Sequence, residues 1–171
     1  MKTTRKPRDF TWVIQNRLAV SSRVGGHGME HRRVRRQQEI SWLLEAGFDT
    51  VISLLPGNQN ANSYESAGMD VHLVPVGDDH DPESIDRAYQ VLQGALSKPD
   101  SKVLVHREFV DDTVGGLLAG FIVFAGLVDD PRIAMVTIQE IIGRPLGPDG
   151  RSLIPSFGAC RRAESTAPTT P

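Results

Sequence analysis

Two apolar segments on either side of a seven-residue loop constrain the fold of this chain more than any other feature. The first, Lys102 to His106, is short and rich in valine, which is typical of a buried strand. The second, Val114 to Val128, is fifteen residues long and predicts a buried helix. Loops that run from a strand into a helix often bind anions, because backbone N–H groups converge there. This loop, residues 107–113, nevertheless contains three carboxylates, those of Glu108, Asp111 and Asp112.

Strand-like and helix-like segments alternate along the rest of the chain. The alternation predicts an α/β fold, with a central, mostly parallel sheet flanked by helices in three layers. We expect one domain over residues 10–160, preceded by a basic disordered arm (1–9) and followed by a disordered tail (161–171) that is rich in proline and small residues. The predicted strands are 10–14, 17–20, 51–55, 71–76 and 102–106. The predicted helices comprise one that ends at Gly47, one that starts at Asp81-Pro82, 113–127, Pro131 to about Ile142, and a short one within 151–160.

Length and composition narrow the class of protein. A chain of 171 residues with 39% hydrophobic residues can bury the core of one globular domain. Its longest apolar run is 15 residues, short of the roughly 20 that a membrane span needs, so we expect no membrane association. The polar, basic N-terminus does not resemble a signal peptide. The single cysteine, Cys160, cannot form an internal disulfide, and a cytoplasmic location is the simplest expectation.

The charge of the chain is unevenly distributed. Residues 1–36 contain ten Lys or Arg and only two acids, Asp9 and Glu30, which gives this part a charge of +8. The whole chain has a charge of −2, so the remainder carries −10. A basic segment of this kind can bind nucleic acid or an acidic protein. The absence of interleaved aromatic residues disfavours nucleic acid, and a solvated surface is the simpler interpretation.

Five segments, taken in order, resemble the dual-specificity group of the protein tyrosine phosphatase superfamily. The resemblance covers roughly residues 10–158, and it implies the three-layer fold of that group. The segments are FTWVI with RLA at 10–19, GFDTVISL at 47–54, VPVGD at 74–78, VLVH at 103–106 and RP at 144–145.

The catalytic loop of that family follows the pattern H-C-x5-R, from which this chain departs. In the family the cysteine thiolate attacks phosphorus and the arginine grips the phosphate oxygens. The resemblance places Arg107 at the cysteine position, Thr113 at the arginine position and Val110 at the loop glycine. It also places Asp78 at the position of the general acid, where we interpret it as vestigial. The degenerate loop positions are thus His106, Arg107, Glu108, Phe109, Val110, Asp111, Asp112 and Thr113.

These departures predict a pseudophosphatase. Because the nucleophile and the phosphate-gripping guanidinium are both missing, we expect the chain not to be an enzyme, and to act by protein binding or regulation. We expect an unidentified protein partner, no cofactor and no metal, while homo-oligomerisation stays open. One alternative is a hydrolase of different chemistry built from an acid and histidine cluster, and another is a binder of nucleic acid or acidic protein through the basic N-terminal region. That cluster comprises Asp78, Asp79, His80, Asp81, His106, Asp111 and Asp112.

The loop is expected to satisfy its own charges. It carries a formal charge of −2, which would repel a phosphate dianion. We expect Arg107 to form an ion pair with Asp78, Asp111 or Asp112, and one of Asp111, Asp112 and Thr113 to cap the following helix. Phe109 either fills the pocket or is exposed as an anchor for a partner, and the sequence leaves both open.

Overall fold

A computed structural model describes residues 3–27, 32–57 and 60–155, in which eleven strands and helices alternate. The strands are β1 (Thr11–Ile14), β2 (Leu18–Ser21), β3 (Thr50–Ser53), β4 (Asp70–Leu73) and β5 (Val103–His106). The helices are α1 (Arg33–Glu45), α2 (Ala61–Ser66), α3 (Pro82–Ser97), α4 (Asp112–Phe124), α5 (Pro131–Ile142) and α6 (Pro148–Ser152).

The strands form one sheet in the order β1-β2-β5-β3-β4. Only β1 and β2 pair antiparallel, as a hairpin whose turn includes Asn16 at a positive φ of 60°. The other three pairings are parallel, and β5 lies in the middle between β2 and β3. The predicted α/β class with a mostly parallel central sheet is therefore confirmed.

Helices cover both faces of the sheet, because successive strand residues point to opposite sides. On β5, Leu104 packs in a core with residues of α1 and α2, such as Leu43 and Tyr64. Val103 and Val105 pack on the other face, in the larger core formed with α3, α4 and α5. The predicted layers thus place the loop after β5 at the centre of the carboxyl edge of the sheet, where open α/β sheets bind ligands.

Several boundaries differ from those that the sequence predicts. The sequence predicts no helix where α2 lies; this helix has six residues and buries only Ala61 and Tyr64, too few for a helical period to be visible. Strand β4 ends at Leu73, although the backbone N–H of Val74 still bonds to Ser53 at 2.9 Å. Helix α6 starts at Pro148, earlier than predicted, because proline at the first helical position is favourable.

The described part of the N-terminal segment packs against the domain. The N–H of Arg5 donates to the carbonyl of Gln38 at 3.2 Å, and Pro7 is buried. Asp9 accepts a hydrogen bond of 2.5 Å from the Ser22 hydroxyl. This packing corrects the prediction of a disordered arm over 1–9, from Thr3 onward, because pattern and composition do not reveal such contacts with distant residues. The predicted tail 161–171 and Cys160 lie outside the described residues.

None of the helices in the described part of the chain combines the length and the apolar character that crossing a bilayer requires.

Candidate functional site

Helix α4 begins with a side-chain cap from within the loop. The carboxylate of Asp111 accepts the backbone N–H of Val114 at 3.0 Å, and Asp112 is an acid in the first turn. Both placements are favourable at the positive end of a helix. The prediction that an acid of the loop caps the helix is confirmed.

Arg107 is held on three sides. Its guanidinium lies 2.6 Å from Asp111 and 2.6 Å from Asp78, and its Nε donates to the carbonyl of Val76 at 3.2 Å. Only 13% of its side chain is exposed. The predicted ion pair is therefore confirmed, with two acids instead of one. Burial opposes the charge on Arg107, but the bonds to Asp78 and Asp111 outweigh it and raise the pKa of the guanidinium. The same hydrogen bond and charge lower the pKa of Asp78.

Asp112 points to a different part of the fold. One carboxylate oxygen accepts the N–H of Gly147 at 2.6 Å, and the other accepts the N–H of Gly150 at 2.6 Å. Both N–H groups lie at the start of α6. Asp112 therefore joins the start of α4 to the start of α6, a role that the sequence analysis did not assign to it.

The loop around Asp78 is tied to the loop after β5 by a second contact. The Nε2 atom of His80 lies 2.9 Å from the hydroxyl of Thr113, and His80 has a positive φ of 51°. Asp81 instead caps α3 by accepting the N–H of Ser84 at 3.0 Å. Within the part of the chain that the structure describes, no three His, Cys, Asp or Glu side chains are placed to hold a metal ion. The alternative of a hydrolase built on this cluster stays a prediction.

His106 lies beneath the loop and is 1% exposed. Its Nε2 is 3.4 Å from the hydroxyl of Tyr64, a buried residue that the sequence analysis did not select. Burial lowers the pKa of His106 to about 4, because a charged imidazole would be desolvated there. The imidazole is neutral at pH 7.

We expect His106 to make the stability of the domain depend on pH. The unfolded chain binds a proton at His106 with an ordinary pKa of 6.5, whereas the folded chain binds it only near 4. Because the unfolded chain binds the proton more tightly, the free energy of unfolding is highest above pH 6.5 and falls as the pH drops towards 4. We expect it to fall by about 2 kcal/mol between pH 7 and pH 5. Urea unfolding of wild type and His106→Gln at both pH values measures it. Equal pH dependence in the two proteins would contradict this expectation.

The remaining loop residues contact segments that are distant in sequence. Glu108 forms an ion pair of 3.5 Å with Arg23, and the carbonyl of Val110 accepts a hydrogen bond of 3.3 Å from Arg144. Phe109 is 47% exposed and lies against His27, with 4.5 Å between the ring centroids. Of the two placements that the sequence left open for Phe109, the structure has the exposed one.

A groove of about 750 Å³ begins at Phe109. Phe109 and Val110 form one wall, and the end of α5, with Ile141 and Ile142, forms another. Arg144 also lines the groove, and no ion pair to another described residue neutralises it. The groove thus combines an aromatic ring, an apolar wall and a cation, and the carboxylates of Asp9 and Asp111 also line it.

The same fold occurs in solved structures of phosphatases. The chain has a TM-score of 0.73 and 15% identity to a kinase-associated phosphatase whose catalytic cysteine is replaced by serine, with 95% of this chain and 99% of that chain covered. Its TM-score to Tk-PTP in the active form is 0.64, at 13% identity, over 85% of this chain and 92% of that one. Its TM-score to a cysteine-to-serine variant of P. aeruginosa TpbA in complex with phosphotyrosine is 0.66, at 17% identity, over 96% of this chain and 100% of that one.

The chain therefore has the fold of these phosphatases, and the resemblance that the sequence predicts is confirmed at the level of the fold. No protein-family model matches the sequence, and no curated protein matches it significantly.

These structures contradict the prediction that the chain is not an enzyme. The proteins that share its fold include a kinase-associated phosphatase, a Tk-PTP solved in its active form and a protein solved with phosphotyrosine. The prediction came from Arg107 and Thr113 at the two catalytic positions, together with Val110 and the negative charge of the loop. It equated the loss of one cysteine-based reaction with the loss of all catalysis, which does not follow. We therefore correct it: this is a fold on which phosphatases are built.

Proposed function

We propose that the protein binds a partner protein through the face around Phe109. The observation that carries the proposal is the exposure of Phe109, 47%, at the tip of a loop whose charged side chains bond to other parts of the chain. Aromatic side chains of this kind dominate the energetics of protein interfaces, because a rigid ring buries a large area at little entropic cost.

The bonds that the charged side chains of the loop already make support this use of the loop. Arg107 is fixed by Asp78 and Asp111, and Asp112 is occupied by the start of α6. A phosphate group would have to displace carboxylates from the helix N-terminus, which costs electrostatic energy. A protein side chain needs no such displacement, because Phe109 already lies outside these pairs.

The groove indicates the chemistry of the partner. Ile141 and Ile142 offer an apolar wall beside Phe109, and Arg144 supplies a positive charge at the same opening. Charge complementarity favours a partner segment that presents an apolar side chain next to a carboxylate. A cytoplasmic location stays a prediction, as does homo-oligomerisation.

Affinity purification with wild type and Phe109→Ala tests the proposal. We expect the truncation to weaken binding of the captured partner about tenfold or more, because a central aromatic anchor is lost. Phe124→Ala is the matched control: Phe124 is 42% exposed at the end of α4, away from the loop. The affinity of the purified partner for each variant is then measured by calorimetry, after unfolding curves have shown that all three proteins are folded.

Two results would overturn the proposal. One is a partner that binds Phe109→Ala as tightly as wild type. The other is a partner whose binding suffers equally from Phe124→Ala, which would place the interface elsewhere or make the effect a general one.

A further inference from the structure

A basic surface lies at the start of α1, formed by Arg5, Arg32, Arg33, Arg35 and Arg36. Arg5 reaches this position because its backbone N–H bonds to Gln38 of α1 at 3.2 Å. Arg35 forms an ion pair of 2.7 Å with the buried Glu39. The other four arginines form no ion pair with any residue that the structure describes, so the surface keeps a charge of +4.

The start of α1 is unfavourable for the helix itself. Arg32 is at the N-cap position and makes no side-chain capping bond, and the first turn contains no acid. Cations near a helix N-terminus oppose the helix dipole, and the missing cap leaves backbone N–H groups without a side-chain acceptor. A site that violates local preferences without visible compensation points to a functional constraint.

The basic surface is concave and continues into a groove. A depression of about 640 Å³ is lined by three of the unpaired arginines and by the paired Arg35, together with Val34 and Gln38. A second depression, of about 740 Å³, runs between α1 and α2 and shares Val34 with the first. Val34 is 66% exposed and Leu44, at the other end of the groove, is 41% exposed. They are ten residues apart, which is about 15 Å along the helix.

This combination identifies the kind of ligand. Four unpaired arginines call for carboxylates or phosphates, and two exposed apolar side chains along one groove call for apolar side chains on the ligand. A nucleic acid would supply only the anions and would leave the apolar groove unfilled. Single strands also gain binding energy by stacking bases on free aromatic rings. The rings of Phe10 and Trp42 are already covered by Lys6, which lies 4.8 Å and 5.8 Å from their centroids, and Tyr64 of α2 is buried.

We infer that the basic surface and the groove between α1 and α2 bind an acidic, amphipathic helical segment of a partner protein. The partner's carboxylates pair with the arginines at the start of α1. Its apolar face covers Val34 and Leu44. This second binding surface uses none of the residues of the Phe109 face, so the failure of either proposal leaves the other intact.

A synthetic peptide of about twenty residues tests the inference, with glutamates along one helical face and two leucines spaced to reach Val34 and Leu44. We expect fluorescence anisotropy to show binding by the full chain that weakens with added salt. Arg33→Glu should weaken it about tenfold or more. Because this change also puts an acid in the first turn of α1, the melting temperature should stay the same or rise, which separates lost binding from unfolding.

Arg87→Glu is the matched control. Arg87 is exposed on α3, and its replacement by glutamate changes the net charge by the same amount as Arg33→Glu. We expect this replacement to change the affinity for the peptide by no more than about twofold. Equal loss in both variants would overturn the inference, because any positive charge would then suffice. Failure of the peptide to bind, binding that is unaffected when its leucines are replaced by serine, or tighter binding of duplex DNA at the same ionic strength would overturn it as well.

Discussion

Gly116→Ala is expected to destabilise the domain by about 3 kcal/mol or more, because its methyl group has no space between two backbones. Gly116 is buried in α4 where α6 crosses it, and an added Cβ would lie 2.6 Å from the Cα of Gly150 and overlap its carbonyl oxygen. A flexible side chain could move away from the methyl group, but a backbone cannot. Urea unfolding curves measure the loss as a lower midpoint with an unchanged slope.

Gly94→Ala is the matched control for that substitution. Gly94 lies in α3 with nothing within 4 Å of the position of an added Cβ. The same chemical change should therefore leave stability equal or raise it by up to about 1 kcal/mol, since alanine favours a helix over glycine. Similar midpoints for the two variants would show that α4 and α6 do not pack as closely as described.

The second large effect is expected at Asp112. Removal of its carboxylate in Asp112→Ala leaves the N–H groups of Gly147 and Gly150 without their acceptors. A hydrogen bond to a charged group contributes about 1.5–3 kcal/mol to stability, and two such bonds are lost here. Water can replace part of them at this half-buried site, so we expect the free energy of unfolding to fall by about 2–4 kcal/mol. Unfolding curves measure the total, and hydrogen exchange at Gly147 and Gly150 reports whether α6 has come loose.

Two further variants locate this effect. Asp112→Asn keeps an acceptor oxygen, so its free energy of unfolding should fall by about half as much as that of Asp112→Ala. Asp149→Ala removes an exposed carboxylate from α6 itself and should cost less than about 1 kcal/mol. If Asp149→Ala proves as costly as Asp112→Ala, general electrostatics and not the two hydrogen bonds would explain the stability of α6.

In the site, two charged side chains of the loop are bonded to other segments of the chain. Arg107 joins the loop to Asp78, and Asp112 joins it to α6. Both partners come from other segments, so the loop is fixed from two directions, and Phe109 remains as its exposed apolar side chain. For the partner binding that we propose, a loop fixed in this way is an advantage, because it loses little entropy on binding.

The amino-acid sequence by itself determined the features that depend on neighbouring residues. The valine-rich run 103–105 and the helical spacing after Pro82 predicted a strand and a helix, because side-chain periodicity records which face is buried. The cap by Asp81 followed from residue type and position, and the same reasoning narrowed the cap of α4 to Asp111, Asp112 or Thr113. The ion pair between Arg107 and Asp111 is also local, since the two lie four positions apart.

Only the tertiary structure decided the contacts between distant segments. Asp112 meets Gly147 and Gly150 from 35 and 38 residues away, and His27 lies against Phe109 only because β2 and β5 are neighbours in the sheet. No periodicity or motif encodes such pairs, since they depend on how strands and helices are ordered in space. The exposure of Phe109 was settled in the same way: an aromatic residue in this loop favours a buried plug over an exposed anchor, but the positions of the surrounding segments left it at the surface.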